Sequence, residues 1–328
     1  MLNEAVEKLG FVAIGRNEGE RLERCLNSLR RHGARIAYVD SGSRDGSVAI
    51  AEKIGVAIVE LSSDMPFTAA RARNAGFKRL LDQWPDTQHV MFIDGDCELV
   101  DGFIPAAIKL LHENPAIGVV TGRCLERNPD ATIYNRLCDM EWNGPTGEID
   151  ACGGIFLART ATFQSAGGFN PSLIAGEEPE FCIRVREAGE TIIRIKEDMC
   201  FHDADMRRFG QWWRRAVRAG YSYAQVNRLH SDAYRAERRR AWFWGAILPS
   251  LMFATAPLTG GWSGALVILY AASFLKTRRG LIRSGAKSNN ASTFAAFLVL
   301  SKFPNLIGLL NFRSKQFFRQ PVKIIEYK

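Results

Sequence analysis

The stretch Val90-Met91-Phe92-Ile93 followed by Asp94-Gly95-Asp96 limits the fold more tightly than any other part of the chain. Four consecutive apolar residues read as a strand covered on both faces, and such strands belong to parallel sheets flanked by helices. The run stops at two acids separated by a glycine. In open α/β sheets ligands gather beyond the carboxyl ends of the strands, so Asp94 and Asp96 stand where a bound group would be met. Two neighbouring carboxylates suit a hard divalent cation, Mg2+ or Mn2+, which in turn holds a diphosphate. An aspartate-rich turn closing a strand would use the same residues.

The preceding residues place that strand in a series. Residues 10–15 are a short apolar run that turns polar at Arg16-Asn17-Glu18, and Leu22, Cys25, Leu26 and Leu29 then follow at helical spacing. Residues 35–40 read as a second strand, 41–46 as turn formers, 47–55 as a helix closed by Gly55, 56–61 as a third strand and 67–81 as a helix. Strand and helix alternate with short connections for about a hundred residues, the pattern of a doubly wound parallel sheet. Beyond it the order loosens. Strands are expected at 117–124, 150–158 and 191–195, a short helix at 178–187, and a long one over 206–229 carrying Trp212, Trp213, Arg214, Arg215 and Arg218.

Charge divides the chain. Residues 233–328 hold fifteen Lys and Arg against two acids, a net +13, which leaves −5 for residues 1–232 out of the total of +8. The basic part is interleaved with long apolar runs, which favours an anionic membrane surface over nucleic acid. We therefore expect a catalytic domain over 1–232 and a basic, apolar helical region over 233–328. The seven cysteines are scattered without C-x-x-C or zinc-like spacing, as reduced core thiols would be. No signal peptide is evident in MLNEAVEKLG.

In order along the chain, VAIGRNE, VDSGSRDGS, AARARNAG, FIDGD, GGIFLART, GEEPEFCIRVREAG and FGQWWRR resemble the inverting family 2 glycosyltransferases with a GT-A fold, over roughly residues 10–225. The resemblance implies a sugar moved from a nucleotide-diphosphate donor, a UDP-sugar by preference, to a hydroxyl of a glycan or lipid-linked acceptor, with Mg2+ or Mn2+. Arg16, Asn17, Glu18 and Asp40 would hold base and ribose, although Ser41 stands where the family often has a second aspartate. Arg71, Arg73 and Asn74 match the segment on the diphosphate side, where cations neutralise phosphate. Asp96 would ligate the metal directly, Asp94 would reach ribose or metal, and His202 in CFHDAD matches a late histidine that completes the shell in some relatives. Glu177-Glu178 occupies the acidic pair, with glutamate where the second member is commonly aspartate. Glu178 would be the general base, with Glu177 and Glu180 as alternatives. Gln211, Trp212, Arg214 and Arg215 resemble a loosened form of the motif that holds acceptor sugar and diphosphate in processive members.

Residues 241–275 contain no charged residue and are bracketed by RAERRR and KTRR. Thirty-five residues are too many for one membrane crossing, which takes about 20, and few for two. Positive charge on both flanks keeps both ends cytoplasmic, so a helical hairpin or re-entrant pair is expected. Residues 291–312, interrupted by Lys302 and Pro304, read as interfacial. The combined expectation is an enzyme of cell-envelope polysaccharide synthesis on the cytoplasmic face of the inner membrane. Two other classes fit less well. A nucleotidyltransferase would need a glycine-rich, lysine-bearing loop that GFVAIGRNEGE lacks. A non-enzymatic membrane scaffold with a decayed nucleotide site would bind nucleotide without transfer.

Overall fold

A computed structural model describes residues 7–319. The first six residues, and the last nine with Lys323, Glu326 and Lys328, lie outside the described residues. Two compact units are present. One runs up to Asn128 and resumes over Glu141–Ala204; the other takes Pro129–Met140 and the chain from Asp205 onward. The long helix that follows Asp205 belongs to the second unit.

The first unit is built on one sheet. Its strands are β1 (Leu9–Gly15), β2 (Ile36–Asp40), β3 (Ala57–Glu60), β4 (His89–Asp94), β5 (Cys97–Leu99), β6 (Ile117–Glu126), β7 (Gly147–Glu148), β8 (Phe156–Arg159) and β9 (Thr191–His202). The order is β3-β2-β1-β4-β8-β6-β9-β5, with β7 paired to β9. Strands β3, β2, β1 and β4 are mutually parallel, and β8 runs antiparallel between β4 and β6. The chain steps outward from β1 to β3 and then returns to β1's other side as β4. That reversal opens a crevice at the carboxyl ends of β1 and β4, where ligands bind in such sheets.

Helices α1 (Glu20–Arg30), α2 (Ser47–Ile54), α3 (Ala69–Gln83) and α4 (Phe103–Glu113) connect these strands, followed by α5 (Ile133–Trp142), α6 (Thr160–Ser165) and α7 (Glu177–Glu187). Alternation along β4 sorts its side chains. Met91 and Ile93 join a core with Leu22, Leu26, Phe103 and Ile108, while Val90 and Phe92 join the opposite one. The second core is aromatic: Phe92 lies 5.1 Å from Phe156, 4.7 Å from Phe163 and 5.6 Å from Phe169. Phe181 of α7 packs on the same rings, 5.8 Å from Phe156 and 5.2 Å from Phe169. Strand β4 and helix α7 are therefore seated on one group of phenylalanines.

Two expected strands differ. Of residues 150–158 only Phe156–Arg159 is strand, because the backbone before it turns through Gly153 at φ 82° and serves the site instead. Strand β9 runs seven residues past the expected 195, since β5 pairs with its far end and places Cys97 opposite His202.

In the second unit, α8 (Phe209–Leu229) is followed by α9 (Arg235–Trp242), a π turn over Phe243–Ile247, α10 (Leu248–Thr255), a 3-10 turn over Trp262–Val267, α11 (Ile268–Arg283), α12 (Ser288–Leu300) and α13 (Lys302–Phe317). Helices α8 and α13 cross where both carry glycine. A Cβ on Gly220 would lie 2.0 Å from the Asn305 carbonyl, and one on Gly308 would lie 2.1 Å from that of Val217. Pro304 sits in the first turn of α13, where its missing N–H costs nothing. The stretch read as interfacial is thus two helices in succession. Among the described residues Ser288–Phe317 is the one run long and apolar enough to cross a membrane, by length and composition.

Candidate active site

The loops leaving β1 and β2 are laced together. Ser43 Oγ accepts the Asn17 N–H at 2.9 Å, Asn17 Oδ1 accepts the Arg44 N–H at 2.8 Å, and Ser47 Oγ accepts the N–H groups of Glu18 and Gly19. Asn17 takes the left-handed conformation at φ 56° that lets it do both. The Asp40 carboxylate is buried and accepts from the Tyr38 hydroxyl at 2.9 Å and from the N–H groups of Gly42 and Ser43 at 2.9 and 2.7 Å. Burial first, and Asp40 second, push the Tyr38 hydroxyl pKa far up. Asp40 thus fixes the turn after β2. The Arg16 guanidinium lies over the Phe67 ring at 5.6 Å, and Glu18 is paired with Arg21 at 2.9 Å.

Helix α3 departs most from its sequence reading. Arg73, expected to face a diphosphate, is buried and bridges two carboxylates: one guanidinium nitrogen donates to Asp94 Oδ1 at 2.8 Å, another to Glu177 Oε1 at 2.8 Å. Burial alone would lower its pKa, but Asp94 and Glu177 outweigh it and hold the group charged above its ordinary value. Asn74 exchanges two hydrogen bonds with the Phe169 backbone, and Arg71 donates to the carbonyls of Ser62 and Met65. In the structure these three side chains are braces: Arg73 ties β4 to α7, Asn74 ties α3 to the loop before α7, and Arg71 folds the loop before α3.

The Arg73 bridge brings the two acidic motifs side by side. Asp94 is engaged through Oδ1 and is about a third exposed. A Cβ on Gly154 would lie 2.7 Å from the Arg73 guanidinium and 3.5 Å from Asp94 Oδ2, so only glycine lets this backbone approach so closely. Two residues earlier, the Cys152 N–H donates to Glu178 Oε1 at 2.6 Å, and the Cys182 thiol donates to the same oxygen at 3.1 Å. The segment Cys152-Gly153-Gly154 therefore meets Asp94 at one end and Glu178 at the other. Glu180 pairs with Arg184 on its own helix at 2.6 Å, and Glu177 is held by Arg73, so Glu178 alone of the three acids is held by an amide and a thiol. Burial first, with the Glu178 carboxylate, raises the pKa values of both thiols, that of Cys182 to about 11 although the Cys152 thiol pulls it down.

Asp96 is buried, and its Oδ2 lies 3.5 Å from His202 Nε2. On the far side of the ring, Nδ1 faces Glu126 Oε2 at 3.9 Å, and the Trp142 ring stands edge-on at 4.4 Å. Among the described residues, the buried Nδ1 has no hydrogen-bond partner. With the proton on Nδ1, toward Glu126, Nε2 presents a lone pair to the Asp96 carboxylate, an arrangement that a shared cation satisfies. Donor atoms of Asp96, Cys97 and His202 all lie within 4.8 Å of one another. Glu126 was missed by the sequence reading; its signal is an acid ending a ten-residue strand, as Asp94 ends β4.

Gln211, Trp212, Arg214 and Arg215 belong to the second unit. Gln211 Oε1 caps α8 by accepting the N–H groups of Arg207 and Arg208 at 2.8 and 3.0 Å. Trp212 is buried against Phe209, Trp213 and Phe297, the last at 4.7 Å. Arg214 is exposed and Arg215 half-buried. Within this unit Trp212, from the motif expected to hold acceptor sugar and diphosphate, is a core side chain.

Residues 12–157 match the family described as glycosyl transferase family 2. A TPR repeat-containing protein of Synechococcus elongatus is 30% identical over 99 residues, 30% of this chain and 23% of that protein. An uncharacterized glycosyltransferase of Rickettsia conorii is 39% identical over 59 residues, 18% of this chain and 21% of that protein. The chain therefore spans about a fifth of the length of the curated relatives it matches. Among solved structures, the mannosyltransferase PcManGT of Pyrobaculum calidifontis, in complex with GDP-Man and Mn2+, superposes with a TM-score of 0.58 at 18% identity, over 91% of this chain and 87% of that one. Residues 1–349 of TarS from S. aureus give 0.50 at 14% identity, over 88% and 90%.

Proposed function

Since residues 12–157 form a glycosyl transferase family 2 domain on a GT-A sheet, we propose that this chain transfers a sugar from a nucleotide-diphosphate donor, with inversion, to a hydroxyl of a glycan or lipid-linked acceptor at a membrane surface. The observation that carries this reading is the Arg73 bridge, which seats the acid ending β4 beside the acidic pair opening α7. Donor chemistry and acceptor deprotonation need those two motifs together.

In this reading the laced loops after β1 and β2, with Arg16, Asn17, Glu18 and Asp40, form the wall for base and ribose. Asp96 and His202 supply an oxygen and an imidazole nitrogen, a donor set that suits Mn2+ better than Mg2+. A divalent ion bound there offsets the charge that grows on the leaving nucleoside diphosphate. Glu178 has Oε1 fixed by the Cys152 N–H and the Cys182 thiol, which orients Oε2 for the acceptor. The acceptor oxygen attacks the anomeric carbon, its proton passes to Oε2, and the bond to the diphosphate oxygen breaks. One displacement inverts the centre, so no protein nucleophile is required. UDP as the carrier and a role in cell-envelope polysaccharide synthesis at the cytoplasmic face of the inner membrane complete the proposal.

A panel of nucleotide sugars with Mn2+ tests it. Asp96→Ala is expected to abolish transfer and weaken nucleotide binding in calorimetry; Glu178→Gln is expected to lower transfer by about 10²–10⁴-fold while leaving nucleotide binding unchanged. Full transfer by Glu178→Gln overturns the assignment of the base. Release of pyrophosphate from a nucleoside triphosphate would indicate a nucleotidyltransferase.

A further inference from the structure

We infer that the hairpin of residues 241–275 enters an anionic bilayer from one face and returns to that face without crossing. This deepens the proposed membrane-surface reading and rests on it.

Four observations carry the inference. First, only Ala241, Leu248 and Ser263 are buried among these thirty-five uncharged residues, and Phe253, Leu258 and Trp262 are 80%, 85% and 82% exposed. A helical pair packed into a protein core would bury its large side chains, whereas this one presents them outward at its turn. Second, the two arms are one object: the Ser263 hydroxyl donates to the Met252 carbonyl at 2.8 Å, and the Tyr270 hydroxyl donates to that of Trp244.

Third, the turn closes several of its polar groups internally. The N–H groups of Thr259, Gly261, Trp262 and Gly264 all donate to carbonyls within the turn, at 2.8 to 3.1 Å. The Thr255 and Thr259 hydroxyls donate back to the carbonyls four residues earlier, and Thr259 Oγ1 accepts the Ser263 N–H. Each polar group closed in this way lowers the cost of placing the turn in hydrocarbon.

Fourth, length and charge set the depth. Residues 241–255 rise about 22 Å, and the returning arm about 24 Å, against a hydrocarbon thickness of about 30 Å. The turn Ala256-Pro257-Leu258-Thr259-Gly260-Gly261 has no cation to settle among distant headgroups. Both bases are cationic, with Arg238, Arg239 and Arg240 on one side and Lys276, Arg278 and Arg279 on the other, which complements anionic headgroups of the leaflet entered. The longer apolar run Ser288–Phe317 is accounted for otherwise: it buries Leu306, Leu309 and Phe312 and meets α8 backbone to backbone at Gly308.

The test uses the full chain with Leu258→Cys carrying an NBD fluorophore. Six native cysteines are buried and Cys124 is half-buried, so position 258 offers the exposed thiol. With vesicles of phosphatidylcholine and phosphatidylglycerol we expect blue-shifted emission, protection from dithionite added outside, and equal protection from dithionite trapped inside. Reduction from inside overturns the inference in favour of a crossing, and reduction from outside overturns it in favour of a hairpin left in water or covered by a second copy of the chain. A Phe253→Asp, Leu258→Asp, Trp262→Asp variant should float with these vesicles at least roughly tenfold less than the parent while binding nucleotide equally. Flotation equal to the parent also overturns it. Insertion by a chain that transfers no sugar would leave this inference standing and remove the enzymatic reading, so the two fail separately.

Discussion

Arg73 shows how far one side chain's surroundings decide its role. It carries a charge into a buried position and is stabilised there by two carboxylates from segments 21 and 104 residues away. Arg73→Met would leave Glu177 buried without its partner, an error that costs about 3 kcal/mol here, the low end of the usual range because Asp94 is partly exposed. We expect a lower unfolding temperature together with weakened nucleotide binding, and no rescue by Arg73→Lys, whose single ammonium cannot serve both acids. His89 makes a second prediction. Burial first, then Arg159, lowers its pKa to about 4, against about 6.5 in the unfolded chain. Between those values the unfolded chain takes up a proton that the folded chain refuses. The stability His89 contributes is therefore fully present above pH 6.5 and is lost as pH falls toward 4. Urea unfolding at pH 7 and pH 4.5 should show a larger loss for the parent than for His89→Gln.

Among elements, the pairing of α8 with α13 is the sharpest case of fit overriding propensity. Alanine in place of glycine inside a helix ordinarily gains about 1 kcal/mol. At Gly308 the added methyl would lie 2.1 Å from the Val217 carbonyl and 2.5 Å from the Tyr221 nitrogen, both backbone atoms that cannot turn aside. Gly308→Ala is expected to destabilise by about 1–3 kcal/mol instead, read as a lower midpoint in thermal unfolding followed by circular dichroism. Helix α7 is positioned in the opposite way, by bulk: Phe181 enters the aromatic core beneath β4, which sets the height at which Glu178 emerges relative to Asp94.

At the scale of the molecule, the parallel half of the sheet was legible because each strand and helix carries its own period and its own stop signal. The acids at 94 and 96 were legible for the same reason: an apolar run that ends in charge declares its end. Legibility failed where a role depends on what arrives from elsewhere in the chain. Arg73 and Asn74 read as a diphosphate-side cation and amide until Glu177 and Phe169 are folded against them. Residues 150–155 read as strand because they are apolar and small, while their actual task is to lend an amide to Glu178. Glu126 lies past the expected strand end at 124, and only the parallel pairing of β9 with β6 brings His202 in front of it.

The shared brace at Arg73 carries a consequence for how such a protein diversifies. In the proposed reaction, donor grip and proton removal would hang from one guanidinium, so neither could drift without loosening the other. New sugars and new acceptors would then be accommodated at the outer loops, with tuning of specificity channelled away from the acids proposed to do the chemistry.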